Sequence, residues 1–139
     1  MVEDRRIRCH KTTGHGTETF VQGVQNSCNP VFMEVGARLG TERLFQYLQK
    51  FGVLEKTGID LSGEAATIMH QKKNVGAVEL ATMTFGQSFQ LTPLRLLTSV
   101  SAVINGGRLV TPHVGVCMEN IQQSYVRKLK YKEKADVLS

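Results

Sequence analysis

Apolar residues recur along most of this chain at helical spacing. Phe20, Val21 and Val24 follow Thr17, a candidate cap, with Glu18 favourably placed in the first turn, so a short helix is expected there. Pro30 has a fixed φ and no N–H, which suits the start of a second helix. In that helix Phe32, Val35 and Leu39 keep the spacing until Gly40 closes it. Thr41 opens a third, with Leu44, Leu48 and Phe51 as its stripe and Gly52 as its stop. Residues 53–76 carry glycines and little periodicity and read as loop, and AVELATMTFG reads as a short helix ending at Gly86. The best-framed element comes next. Thr92 as N-cap, Pro93 at the first helical position and Asn105-Gly106-Gly107 at the far end bracket LRLLTSVSAVI. Leu94, Leu97, Ser101 and Ile104 share a face that Leu96, Val100 and Val103 widen. Apolar residues over most of its circumference predict a buried helix from Thr92 to Ile104, with Leu97 and Val100 inside.

Beyond it the period falls to two. RLVTPHVGVCMEN and QSYVRKLKYKEKADVLS read as the strands of a hairpin, the second with Lys128, Lys130, Lys132 and Lys134 on one face and Leu129, Tyr131 and Ala135 on the other. RRIRCHK at the start is short and at most strand-like. The class is therefore α+β: four to five helices, then a C-terminal β-hairpin, within a length that suits one domain.

Composition changes this picture little. With 41% hydrophobic and 21% charged residues the chain has the balance of an ordered globular protein. The net charge of +5 is more informative once located. Residues 14–126 hold eight Lys/Arg and eight Asp/Glu, so the whole excess sits at the two ends. A lysine-lined strand edge explains the second end, and there is neither a basic helix nor a set of aromatic platforms, which argues against nucleic acid as a partner. No apolar run approaches the ~20 residues of a membrane helix. Cys9, Cys28 and Cys117 are far apart and odd in number, and His10, His15, His70 and His113 are scattered without ligand spacing. Neither a disulfide framework, a metal site nor an organic cofactor is implied.

The stretch NSCNPVF holds the candidate chemistry. Ser27 and Asn29, two apart on a loop between helices, can present a hydroxyl and a carboxamide together. Taken alone, three such residues more often cap helices and form turns. Their surroundings shift the balance. GHGTETFVQGVQNSCNPVFMEVGARLG, FGVLEKTGIDLSGEA and NVGAVELATMTFGQSFQLTPLRLLTSVSAVINGGRLVTPHV occur in that order at tight spacing. This series closely resembles the transpeptidase domain of class B penicillin-binding proteins, above all their sporulation-specific D-type members, from about Ile7 to the C-terminus.

The resemblance implies a penicilloyl-serine transferase fold whose site is assembled from S-x-x-K, S-x-N and K-[TS]-G. Ser27 and Asn29 match the second motif. By that likeness Ser27 relays a proton and Asn29 holds the amide of the substrate or of a β-lactam. No serine here has a lysine three residues later, so the nucleophile and its activating base are missing from these residues. Lys56-Thr57-Gly58 spells KTG but lies in a loop after a helix, whereas the functional motif belongs on a core strand. Small departures from the family pattern are Ser88, where many relatives have glycine, and His10, where tryptophan is frequent.

The expectation is thus an internal, partial transpeptidase domain spanning residues 1–139, carrying one motif of three and inactive by itself. Its parent would be a membrane-anchored D,D-transpeptidase with this domain on the extracytoplasmic side, acting on peptidoglycan stem peptides, acylated by β-lactams and working with cell-wall machinery in sporulation or division. A fragment with an uncovered core would self-associate. A non-catalytic truncated homologue that binds muropeptide or a protein is the alternative.

Overall fold

A computed structural model describes residues 2–122, 124–134 and 137–138. Its elements in chain order are α1 (Phe20–Gln25), α2 (Asn29–Lys50), β1 (Ile68–Met69), a 3-10 turn (Lys72–Asn74), α3 (Ala77–Thr84), β2 (Phe89–Gln90), α4 (Pro93–Ile104), β3 (Leu109–Val110), β4 (Cys117–Asn120), β5 (Tyr125–Lys128) and β6 (Glu133–Lys134). The chain forms two compact units, residues 1–47 with 68–90, and residues 48–67 with 91–139.

In the first unit α1 begins two residues later than expected. Thr19, not Thr17, is its N-cap, and the Gln22 side chain completes a capping box. Phe20, Val21 and Val24 remain largely exposed. The second and third expected helices are both present within α2, separated by a kink at Gly40 with φ 76°. The helices of this unit approach closely where glycines allow it. A Cβ on Gly23 would lie 2.6 Å from Val31 Cγ1, and one on Gly36 would lie 2.1 Å from Thr84 Cγ2 on α3. Phe45, Ala81 and Met83 are buried. β1 and β2 pair antiparallel, Ile68 opposite Gln90 and Met69 opposite Phe89. Ser88, the departure from glycine noted above, has φ 67°, a conformation in which glycine costs less; its Oγ lies 2.8 Å from Thr82 Oγ1.

The second unit is organised by α4, and here the structure corrects the expected burial. The boundaries hold: Thr92 Oγ1 accepts the Arg95 N–H, and Pro93 opens the helix. The buried face, however, is Arg95, Thr98, Ser99 and Ala102, while Leu97 is 62% and Val100 53% exposed. The reason is hydrogen bonding. The chain leaving α2 has carbonyls without helical partners, and a buried carbonyl must find a donor. Ser99 Oγ donates to Phe51 O at 2.9 Å and Arg95 Nε to Glu55 O at 3.1 Å. Burial disfavours the Arg95 charge, and the nearby Glu64 and Glu55 carboxylates oppose that only in part.

The expected hairpin is present but interrupted. β4 pairs with β5, Cys117 opposite Lys128, and β3 pairs with β6, Leu109 opposite Lys134, so its two arms meet in two short antiparallel ladders. The lysine alternation is broken at Leu129–Lys132, where the backbone leaves the strand. Of the expected second strand, Gln123, Ala135, Asp136 and Ser139 lie outside the described residues. At the N-terminus only a Val2–Arg5 bridge forms among the described residues. Asp60 ties the loop after α2 to the strand region: Val114 N–H (2.9 Å), Gly115 N–H (2.7 Å) and the Tyr131 hydroxyl (2.8 Å) all donate to its carboxylate.

Two outcomes follow from these contacts. Gly36→Ala gains ~1 kcal/mol of helix propensity, but overpacking against Thr84 costs about 1–3 kcal/mol, so thermal unfolding should show a net loss that Thr84→Ser partly restores. The bonds from Val114, Gly115 and Tyr131 hold the Asp60 carboxyl down from 3.8 to about 2. A depressed carboxyl contributes stability that is complete above its unfolded value and fades as pH falls through the folded one. Acid unfolding should therefore contain a component between these two values that Asp60→Asn removes.

Candidate active site

Each helix that ends in this chain does so in a similar hydrogen-bonded turn. After α2, Val53 N–H donates to Leu48 O and Gly52 N–H to Gln49 O; after α3, Gln87 donates to Thr82 O and Gly86 to Met83 O; after α4, Gly107 donates to Ala102 O. These are Schellman-type closures, which place the residue after the cap in the left-handed region. At three ends that residue is glycine: Gly52, Gly86 and Gly106. At the end of α1 it is Ser27, with φ 48°. Cys28 N–H donates to Gly23 O at 2.9 Å and Ser27 N–H to Val24 O at 3.1 Å, completing the same closure.

The next helix starts without a spare residue. Cys28 O accepts from Val31 N–H (3.1 Å) and Phe32 N–H (3.2 Å), so Cys28 closes α1 and caps α2 at once. Its side chain is buried, Ser27 is exposed and Asn29 is half-buried at the first position of α2, one residue before Pro30. Asn29 Nδ2 donates to Arg8 O at 3.2 Å, which uses one of the two N–H groups of the carboxamide. The expected loop between two helices is thus a two-helix junction. It holds an exposed hydroxyl and a half-buried carboxamide on either side of a buried thiol.

The same junction gathers residues that look scattered in the sequence. Cys9 Sγ lies 3.5 Å from His10 Nδ1 and 3.5 Å from His15 Nδ1. Cys9 and Cys28 are both free thiols, the first half-buried and the second buried. Asn26 Nδ2 donates to Glu18 Oε1, the main cause of a Glu18 carboxyl held below its usual range. Burial pushes the Cys28 thiol up, and the neighbouring Glu18 and Cys9 push it further. Burial also acts on Cys9, but hydrogen bonds from the Lys11 and Asn29 backbone outweigh it and leave that thiol below its ordinary value. Sequence spacing gave no hint of this cluster.

The KTG triplet is placed elsewhere, in the second unit. Thr57 N–H (2.6 Å) and Gly58 N–H (3.0 Å) donate to the two Glu64 carboxylate oxygens, and Gly58 has φ 75°. Lys56 is exposed and in no strand. The triplet forms a loop folded around a carboxylate.

Comparison with known proteins now decides the family. The family model of the penicillin binding protein transpeptidase domain matches residues 1–137. The chain belongs to the penicillin-binding-protein transpeptidase family. Among its relatives, stage V sporulation protein D of Bacillus subtilis is 50% identical over 113 residues, covering 81% of this chain and 18% of that protein. The peptidoglycan D,D-transpeptidase MrdA of Acinetobacter baumannii is 29% identical over 121 residues, covering 81% of this chain and 18% of MrdA. A crystal structure of penicillin binding protein 3 from Mycobacterium tuberculosis complexed with ampicillin shares the fold. Its TM-score is 0.72 at 24% identity, over 77% of this chain and 24% of that one. The α+β assignment is therefore that of the transpeptidase fold, of which these residues supply helices and short antiparallel ladders. The chain spans about a fifth of the length of these curated relatives.

A serine at Ser27 carries strain that glycine would not, roughly 1–2 kcal/mol before the greater unfolded-state freedom of glycine is subtracted. Ser27→Gly should accordingly leave the melting temperature unchanged or raise it by about 1–3 °C, whereas Ser27→Ala should not raise it. Calorimetry of the two variants checks this.

Proposed function

We propose that these residues are the S-x-N-bearing part of a peptidoglycan D,D-transpeptidase domain. The protein that carries them cross-links stem peptides through a serine acyl-enzyme and is acylated by penicillin. The supporting observation is Ser27 itself, a left-handed serine where the other helix ends have glycine. A hydroxyl held at such cost, exposed and beside a half-buried carboxamide, fits a proton relay paired with an amide-binding group.

In this reading Ser27 Oγ passes a proton between the catalytic lysine and the leaving group. Asn29 uses its remaining donor and its carbonyl oxygen to hold the acyl donor's amide. The nucleophile is a serine of an S-x-x-K motif outside these residues, and the functional K-[TS]-G lies on a strand outside them too. The similarity to a stage V sporulation protein favours a role in sporulation; in this reading the protein works with other cell-wall proteins on the extracytoplasmic side of a membrane. Among the described residues no helix is long and apolar enough to cross that membrane. The exposed apolar residues of α4 support self-association of the separate chain, which sedimentation at rising concentration would read out.

The test is made in the protein that carries this segment. Asn29→Ala should lower the rate of β-lactam acylation by about 10²-fold, with ~1 kcal/mol or less of lost stability. Lys56→Ala should leave acylation within a few-fold of the parent rate. Parallel loss of fold and acylation in Asn29→Ala, or collapse of acylation in a folded Lys56→Ala, would overturn the assignment.

A further inference from the structure

The junction that carries Ser27 and Asn29 also holds two groups of soft and borderline donors that share His15. Cys9, His10 and His15 have ligand atoms within 4.8 Å of one another, as do His15, Glu18 and Cys28. Three features distinguish the cluster from a chance surface grouping. The first is distance. Zinc bonds of ~2.3 Å to sulfur and ~2.1 Å to nitrogen at tetrahedral angles place neighbouring donors about 3.6 Å apart. Cys9 Sγ lies 3.5 Å from the Nδ1 atoms of both His10 and His15. The second is the inward-facing thiol: Cys28 is buried, with its sulfur within 4.8 Å of ligand atoms of both His15 and Glu18.

The third is an unmet need. Glu18 Oε1 accepts from Asn26, but Glu18 Oε2 is buried without a well-formed hydrogen bond of its own. A buried carboxylate oxygen without a donor is costly, and a cation is one of the few groups that relieves it. The donors come from two separate segments. Residues 9–18 bring Cys9, His15 and Glu18, the junction brings Cys28, and the Asn29 Nδ2 bond to Arg8 O holds the two segments together.

We propose that Cys9, His15, Glu18 and Cys28 form a tetrahedral binding site for a soft divalent cation such as Zn(II). The neighbouring His10, whose ring is tilted 59° to that of His15 with centroids 5.5 Å apart, flanks the site. Binding releases the thiol protons to solvent, and the cation takes both thiolates, one imidazole nitrogen and one carboxylate oxygen. Because Cys28 separates Ser27 from Asn29, ligation would couple cation occupancy to the segment that carries both. The site stands whether or not the transpeptidase reading does, since it needs no substrate and no other motif.

The experiment titrates the reduced 139-residue chain anaerobically with Co(II) and then displaces it with Zn(II), using a phosphine reductant that leaves no competing thiol. The expected result is one equivalent of Co(II), with the visible bands of a tetrahedral centre and a thiolate-to-cobalt charge-transfer band, displaced stoichiometrically by Zn(II). Cys9→Ser should lower the charge-transfer intensity. His15→Ala should weaken binding by more than the about 10–100-fold that loss of an outer-shell partner costs. His70→Ala and Cys117→Ser should leave it unchanged. Cys28 is buried, so Cys28→Ser is read only if its circular dichroism matches the parent; Cys9→Ser and His15→Ala decide without it. Absence of binding, a six-coordinate spectrum without a charge-transfer band, or unchanged affinity in both Cys9→Ser and His15→Ala would overturn the proposal.

Discussion

The passage from α1 to α2 is made with no residue to spare, and much of the first unit is fixed by it. Cys28 must donate its N–H back to Gly23 O to close α1 and accept at its carbonyl to open α2. Meeting both conditions forces Ser27 into the left-handed region, and it returns α2 so tightly that Val31 reaches the space where a Cβ on Gly23 would sit. Asn29 then takes the first helical position, where Pro30 can follow because no intrahelical N–H is needed so early. The spelling of the motif is thus a backbone requirement around the two side chains proposed to act. Gly23 gives clearance, Cys28 fills the interior, and Ser27 and Asn29 are left on either side of it.

A comparable economy shapes the second unit, where the polar face of α4 is the buried one. Arg95 and Ser99 donate to carbonyls of the segment that follows α2, and Thr98 returns its hydroxyl to Arg95 O within the helix. An unsatisfied buried carbonyl costs about as much as burying a leucine gains, so satisfying two of them competes well with turning Leu97 inward. The leucines and valines of the opposite face are left uncovered in this chain.

These two units show what could be read from sequence. Helix ends were legible because caps and glycines act locally: Thr92, Pro93, Gly40, Gly52, Gly86 and Gly106 each mark a boundary through their own backbone chemistry. The candidate site was legible only through its likeness to a family, since S-x-N is too short to stand alone. Ser27 in the place of a helix-ending glycine was hidden by its identity, because serine gives no signal of positive φ. Burial of α4 was misread because apolar periodicity names the face that prefers an apolar partner, not the face that meets hydrogen-bonding obligations. The Cys9–His15–Glu18–Cys28 cluster had no local signal at all. It depends on residues 9–18 folding back onto a junction formed by residues 23–32.

In the proposed function Ser27 is a proton-relay corner beside the reacting serine and not the nucleophile. Peptide mapping by mass spectrometry after β-lactam treatment tests that most directly, applied to the transpeptidase that carries this segment. The drug mass is predicted on a serine outside these 139 residues, with the peptide containing Ser27 unmodified. A drug adduct on Ser27 would contradict that role.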